Sequence, residues 1–208
     1  MSATTTTAAR SNIPVPALIP VHKNRTERRV TVPETLTALV QDGLVAQEDA
    51  DKALKNWRSS GGHEHPLLVL SKANLKALKP PIRALDIERL TEWMAGRVEM
   101  RYFHIDPLKI DMRSVTDVMS ADYASKRNIL PVGVSGRDVI VATCEPYMSA
   151  WQRELGDMLK LNITAVLASP EDINRYAGEF YNFSKSVKRA EVADAGGPKL
   201  NDFEQLVE

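Results

Sequence analysis

The chain has 208 residues, enough for one large or two small domains, and its 27 basic and 27 acidic side chains leave no net charge at neutral pH. A balanced charge provides no overall field toward nucleic acid or an anionic membrane, and no apolar stretch approaches the roughly 20 residues that cross a bilayer. The single cysteine, Cys144, excludes an internal disulfide and suits a reducing compartment. We therefore expect a cytoplasmic protein with no transmembrane segment and no nucleic-acid partner.

Residues 1–31 are predicted to form a disordered arm. They combine a threonine run and three prolines with few large apolar groups, which is too little to offset the entropy of ordering. Between Lys23 and Arg29 there are four basic residues and one acidic residue. This stretch is either a solvated linker or a weak electrostatic contact with a partner or with lipid headgroups.

Residues 32–100 carry helical periodicity and are predicted to form a helical module. Pro33 can open the first helix, which Gly43 is expected to end as a C-cap. A second helix is expected from about Gln47, because its apolar side chains recur at i, i+3, i+4 and i+7. These side chains belong to Ala50, Ala53, Leu54 and Trp57.

Two further helices complete this module. One is expected over about Pro66 to Leu78, with the proline pair at 80 and 81 breaking it. Asp86 is expected to cap the other, which holds Ile87, Leu90 and Met94.

The period of the apolar residues changes over residues 101–183, which are predicted to form an α/β lobe. A short strand is expected at Arg101–Ile105 and a helix at about Ser120–Asn128. Two β-branched runs, at 129–134 and 138–143, flank Ser135-Gly136-Arg137, which predicts a hairpin whose glycine can take a positive φ.

The rest of this lobe continues the alternation of helices and strands. A helix is expected over Met148–Leu161, with an apolar face of Trp151, Leu155, Met158 and Leu159. A strand over Ile163–Ala168 and a last helix follow, with Ser169 as its N-cap and an end near Tyr181. The predicted fold class is therefore α+β: a helical module followed by a small α/β sandwich with a mixed sheet. Residues 184–208, where apolar residues thin out, are predicted to be a linker.

No catalytic or metal-binding pattern is found in the sequence. A phosphate-binding loop needs a Gly-Lys dipeptide, and this chain has none. His63 and His65 are two residues apart in a glycine-rich turn and are expected to be loop residues rather than metal ligands. Cys144 ends a predicted strand with no implied base nearby, so packing is its expected role. We therefore expect no enzyme activity, no metal and no catalytic residue.

Several short motifs occur in an order that resembles a known family. They are Leu39–Val45, Leu90–Ala95, Tyr102–Pro107, Ile129–Val132, Val139–Pro146, Ala168–Ile173, Phe180-Tyr181 and Asn201–Val207. In this order they resemble the N-terminal region of the type II secretion and type IV pilus assembly ATPases, the general secretory pathway protein E type. The resemblance covers about residues 33–207 and implies that residues 184–208 lead toward an ATPase half absent from this chain. The sequence is then expected to be a fragment or the product of a split gene.

In some members of this family the helical module binds cyclic di-GMP through R-L-G followed by L-V-x-x-G. The resemblance implies Leu39, Val40, Gly43 and Leu44 as candidate binding residues. This chain departs from that version because Glu34, Thr35 and Leu36 stand at the R-L-G positions, and an acid has the wrong sign for a dianion. The second copy of the motif also lacks its glycine. The favoured interpretation is a tight corner between two helices.

The resemblance implies a docking and regulatory role. In the family this region contacts the cytoplasmic domain of an inner-membrane platform protein and couples a hexameric motor to it. We therefore expect that platform domain as partner, with the parent ATPase hexamer as a second one, and a cytoplasmic location that is peripheral at the inner membrane. The alternative is a cyclic di-GMP sensor without another cofactor. Whether the system serves secretion, pili or competence stays open.

Overall fold

The computed structural model describes residues 27–80 and 82–195, with side chains described as far as Glu191. These residues form eight α-helices and three strands, which confirms the predicted α+β class. The helices are α1 (Val32–Gln41), α2 (Gln47–Ser60), α3 (Pro66–Lys72), α4 (Ile87–Arg97), α5 (Met112–Thr116), α6 (Ala121–Arg127), α7 (Ala150–Leu159) and α8 (Pro170–Ala195). The strands are β1 (Ile129–Ser135), β2 (Asp138–Thr143) and β3 (Asn162–Leu167), and a 3₁₀ turn spans Pro107–Lys109.

Helices α1–α4 pack around one apolar core, which we call the helical cluster. Asp86 caps α4 as predicted, because its Oδ1 accepts the Arg89 N–H at 2.9 Å. Helix α2 ends at Gly61, whose φ of +61° is the left-handed conformation that glycine adopts without strain. The cluster consists of Val30, Val32, Leu36, Leu39, Val45, Ala50, Ala53, Leu67, Leu70, Leu75, Ala77, Leu85, Leu90, Met94, Ala95, Val98 and Leu167.

The predicted helix over Pro66–Leu78 is wrong in its second half. Helix α3 ends at Lys72, and Asn74 then takes a positive φ of 50°. From Leu75 the burial alternates, with Leu75 and Ala77 buried, and Lys76 forms an antiparallel bridge with Ala84. Leu75 and Leu78 therefore do not share one helical face. They lie in an extended segment whose side chains alternate between the core and solvent, with Leu75 buried and Leu78 exposed.

The three strands form the mixed sheet that the sequence predicts, in the order β1-β2-β3. β1 pairs antiparallel with β2 through the predicted hairpin, whose Gly136 has a φ of +61°. β2 pairs parallel with β3, and α7 connects them. Helices α5 to α8 pack against this sheet around a second core, the sheet cluster, which centres on Trp151, Leu155, Phe180 and the strand residues.

Two details of the α/β lobe differ from the predictions. Met158, expected on the buried face of α7, is 67% exposed. Arg101–Ile105 is not a strand of the sheet, because only Tyr102 bridges to Leu167 before Asp106 caps the 3₁₀ turn.

Helix α8 is longer than predicted. It continues past Tyr181 to Ala195, so the predicted end of this helix near Tyr181 is wrong and residues 184–195 are helical. Two exposed ion pairs, which the sequence did not predict, join this extension to α5 and its C-cap: Arg113 with Glu191 and Lys188 with Asp117. That residues 184–208 serve as a linker stays a prediction. Residues 196–208 lie outside the described residues.

The division of the chain into separate parts at residues 31, 100 and 183 stays a prediction. The two cores make contact, since Leu167 of β3 belongs to the helical cluster. Among the described residues, no helix is both long and apolar enough to span a membrane.

Candidate functional site

The four candidate residues predicted from the sequence lie together where α1 turns into α2. The Gly43 N–H donates to the Val40 carbonyl and the Leu44 N–H donates to the Leu39 carbonyl, both at 2.9 Å. This pair of bonds is the Schellman arrangement, in which a left-handed residue satisfies the last carbonyls of a helix. Gly43 supplies that residue with a φ of +65°, and Leu39 is fully buried. The four residues therefore form a tight corner.

The corner is fixed to α4 by the carboxylate of Asp42. Its Oδ2 accepts from the indole N–H of Trp93 at 2.8 Å, and its Oδ1 accepts from Arg97 at 2.6 Å. Lys79 donates to the Asp42 carbonyl at 2.9 Å. Partial burial favours the neutral acid, but the bonds from Arg97 and Trp93 outweigh it and lower the pKa of Asp42. Asp42 is therefore a charged structural bridge.

Replacing Gly43 with alanine should destabilise the protein by about 1 kcal/mol, because a Cβ disfavours a positive φ even where space is available. The nearest atoms to that Cβ would be those of Lys79 at 3.7 Å, which is ordinary contact. Gly96→Ala is the matched control, since Gly96 is an exposed residue of α4 with nothing within 4 Å, and alanine should stabilise there. Urea unfolding would measure both. Equal effects of the two changes would contradict the assignment of the corner.

Replacing Asp42 with alanine should cost about 2 kcal/mol, because Arg97 and Trp93 lose their shared acceptor. Asp42→Asn keeps one acceptor oxygen for Trp93 and should cost less. Thermal unfolding of both variants at neutral pH would test the difference. A smaller loss for alanine than for asparagine would show that the carboxylate does not join α1 to α4.

A cleft of about 430 Å³ lies beside α1. Its polar lining includes Arg28, Glu34, Gln41 and Arg97, and Tyr147 forms one wall. Arg28 forms an ion pair with Glu34 and lies over the Tyr147 ring, with its guanidinium carbon 3.9 Å from the ring centroid. Both guanidinium groups of the cleft are thus already paired with carboxylates, so the cleft is polar but balanced in charge.

Residues 27–31, predicted to belong to the disordered arm, instead pack against the loop before α7. The Glu27 carboxylate accepts from the backbone N–H groups of Ser149 and Ala150 at 2.9 Å, at the N-terminus of that helix. Val30 is buried, and its N–H donates to the Glu145 carboxylate at 3.0 Å. The segment therefore links the start of α1 to the end of β2. Residues 1–26 of the predicted arm lie outside the described residues.

Glu145 meets a histidine from the helical module at this place. His65 caps α3 by accepting the Leu67 N–H at Nδ1, 3.2 Å away. Its Nε2 lies 3.1 Å from the Cys144 carbonyl and 3.9 Å from a Glu145 carboxylate oxygen. Because the carbonyl can only accept, Nε2 carries the proton and donates. We call Val30, His65, Cys144 and Glu145 the junction.

Burial governs the protonation of the junction. It lowers the pKa of His65 to about 4, against the weaker opposite effect of the Cys144 carbonyl. It also raises the pKa of Glu145, with the Val30 N–H opposing. The thiol of Cys144 is buried too, which raises its pKa to about 12 and suits packing rather than nucleophilic attack. Within residues 27–80 and 82–195, no group of three His, Cys, Asp or Glu side chains is placed to hold a metal ion.

Comparison with known proteins identifies the family. Residues 98–187 match the MshEN domain. The type IV pilus assembly ATPase TfpB of Acinetobacter baylyi is 31% identical over 162 residues, which cover 77% of this chain and 28% of TfpB. The chain belongs to the family of N-terminal regions of type II secretion and type IV pilus assembly ATPases. It spans less than a third of the length of TfpB.

Two solved structures are also similar, at 15% identity. One is MshE with cdg, with a TM-score of 0.45, 74% of this chain and 100% of that chain covered. The other is the N-terminal domain of XpsE, with a TM-score of 0.37, 74% of this chain and 98% of that chain covered. The family assignment rests on the MshEN match and on TfpB.

The cleft and the corner can now be compared with the dinucleotide-binding motif of the family. Glu34, which stands where the dinucleotide-binding version of the family motif has arginine, is held by Arg28 in the cleft. The corner residues Leu39, Val40, Gly43 and Leu44 form one unit, but a ligand-binding role for them stays a prediction.

Sequence reasoning missed the junction. The sequence predicts His65 to be a loop residue, and it presents Glu145 only as one position of the Val139–Pro146 motif. The available signal was the sequence His65-Pro66, since a hydrogen-bonding side chain before a proline at the first helical position is typical of a helix start. No signal in the sequence pairs His65 with Cys144, which is 79 residues away.

Proposed function

We propose that this chain is the non-catalytic docking region of a secretion or pilus assembly ATPase. It binds the cytoplasmic part of an inner-membrane platform protein and so holds the motor at the cytoplasmic face of that membrane. The observation that supports the proposal is the match to the MshEN domain together with the similarity to TfpB, a type IV pilus assembly ATPase. The parent ATPase hexamer would be its second contact.

The use of polar side chains inside the fold supports a non-catalytic role. Thr35, Thr91 and Thr116 donate to backbone carbonyls one turn earlier in their helices. The junction residues bond to each other or to backbone, as described above. Among the described residues these groups satisfy structural needs. Thr35 borders the cleft, but its hydroxyl already donates to the Thr31 carbonyl, so it is not placed as a nucleophile with a base beside it.

Exposed apolar side chains on the α/β lobe support docking. Phe183 on α8 is 52% exposed and Leu108 in the 3₁₀ turn is 95% exposed. Aromatic side chains are frequent anchors of protein interfaces. We propose Phe183 as such an anchor.

A pull-down with the purified cytoplasmic domain of the cognate platform protein tests the proposal. The wild-type chain should retain that domain, and Phe183→Ser should weaken binding by about tenfold. Met158→Ser, which removes an exposed apolar side chain from α7, is the control and should bind like the wild type. Failure of the wild type to bind at roughly tens of micromolar would refute the docking role.

A cyclic di-GMP sensor is the second candidate, favoured by the cleft that Arg28, Arg97 and Tyr147 border. Arginine and tyrosine can stack on purine rings, but a dianion would have to displace Glu34 from Arg28. Calorimetry with cyclic di-GMP distinguishes the two candidates. A sensor requires measurable heat that is lost on changing Gly43 or Leu44, whereas a docking region requires none.

A further inference from the structure

The extended turn between α3 and α4 carries an unusual combination of side chains. Its two arms are held together by the Ala77 N–H bond to the Arg83 carbonyl at 3.0 Å and by the Leu85 N–H bond to the Leu75 carbonyl at 2.8 Å. Leu75, Ala77 and Leu85 anchor these arms in the helical cluster. The tip is therefore presented on a fixed base.

Two large aliphatic side chains at this tip face solvent. Leu78 is 54% exposed and Ile82 is 69% exposed, and they lie at the two ends of the tip. A single exposed aliphatic side chain is ordinary in a soluble protein, but two on one short, anchored turn form a small patch. Residue 81 lies outside the described residues.

The charge around the patch has one sign. Residues 73–85 contain Lys76, Lys79 and Arg83 and no acidic residue, although the whole chain is neutral. Lys79 donates to the Asp42 carbonyl, whereas Lys76 and Arg83 are exposed and make no ion pair with any residue the structure describes. We call Lys76, Leu78, Ile82 and Arg83 the basic tip.

We propose that the basic tip contacts an anionic lipid bilayer. Leu78 and Ile82 enter the boundary between headgroups and acyl chains, while Lys76 and Arg83 lie among the phosphates. Aliphatic side chains flanked by cations are suited to such an interface, since apolar burial and attraction to anionic lipids add. The attraction per cation corresponds to about a fivefold gain in partitioning. This proposal does not depend on protein docking, although both would hold the chain at a membrane.

Co-sedimentation of the chain with phospholipid vesicles tests the proposal. The wild type should sediment with vesicles containing phosphatidylglycerol and stay in solution with pure phosphatidylcholine. Leu78→Ser/Ile82→Ser should reduce partitioning by about tenfold through lost apolar burial. Lys76→Ala/Arg83→Ala should reduce it by more than tenfold, because two cations are removed. High salt should weaken wild-type binding by screening.

Matched controls separate the basic tip from general surface properties. Leu108→Ser removes a more exposed leucine elsewhere, and Lys55→Ala/Lys126→Ala removes two exposed lysines from α2 and α6. Both controls should partition like the wild type, and circular dichroism should show all variants folded.

Absence of wild-type binding to anionic vesicles, or equal losses in tip variants and controls, would overturn the proposal. It would also be overturned if the tip variants lost binding to the platform domain but not to vesicles, since the tip would then recognise an acidic protein. Vesicle binding without platform binding would leave the basic tip supported and refute only the docking role.

Discussion

Replacing His65 with alanine is expected to destabilise the protein by about 3 kcal/mol. The change removes the acceptor that caps α3 and the donor to the Cys144 carbonyl, so that two backbone groups lose their partners at a largely buried position. It also leaves a cavity between the helical module and the end of β2. Urea denaturation followed by tryptophan fluorescence would measure the loss.

Two variants control for the separate parts of this effect. His65→Asn can still cap α3 but is too short to reach Cys144, so it should cost about half as much as alanine. His63→Ala changes an exposed histidine two residues away and should be neutral. If His65→Ala were as stable as His63→Ala, the junction would not hold the two parts of the chain together.

The stability of the wild-type protein should fall as the pH drops from about 6.5 to about 4. Burial lowers the pKa of His65 from the first of these values to the second. When the pKa of a histidine is lower in the folded than in the unfolded state, the fold has its full stability at pH values above the unfolded-state pKa. That stability is lost on acidification, because the unfolded chain binds the proton more readily. The full loss is on the order of 3 kcal/mol.

Glu145 should reduce this loss. Its carboxylate lies 3.9 Å from His65 Nε2 and can pair with the imidazolium, and its own raised pKa means that acidification relieves the cost of burying its charge. The fall in unfolding free energy between pH 7 and pH 4 should therefore be larger in Glu145→Gln than in the wild type. In His65→Asn this fall should be absent, and the raised pKa of Glu145 should leave a small gain in stability on acidification, apart from the general acid effect. The same pH dependence in wild type and His65→Asn would show that His65 is not the titrating group.

Much of the fold could be predicted from local patterns. The start of α4 at Asp86, the hairpin around Gly136 and the corner at Gly43 each depend on residues close together in sequence. Their capping and turn chemistry is decided within a few residues, so the pattern and the structure agree. The same holds for the mixed sheet, whose apolar runs match its three strands.

The misplaced elements depend on contacts between distant residues. Helix α8 continues past Tyr181, where its own apolar content is low, along a path on which Ser184 is buried and Lys188 pairs with Asp117 at the end of α5. Helix α3 stops early because Leu75 and Ala77 pack in the helical cluster as an extended segment. Met158 faces solvent although its spacing fits the apolar face of α7. Periodicity cannot reveal which partners are available to a segment.

The candidate site also has one part that the sequence predicts and one part that it does not. The corner of Leu39, Val40, Gly43 and Leu44 was identifiable from its short motif. The junction was not, because it joins Val30, His65 and Glu145 from three separate parts of the chain. The pairing of Glu34 with Arg28 could not be predicted from the motif either, and it opposes the binding of a dianion in the cleft.

Isothermal titration of the chain with the cytoplasmic domain of its cognate platform protein, and separately with cyclic di-GMP, tests the docking role most directly. We expect saturable binding of the platform domain with a dissociation constant of roughly tens of micromolar or tighter, and no heat with cyclic di-GMP. Saturable heat with cyclic di-GMP and none with the platform domain would contradict a docking role and assign the helical module to ligand sensing.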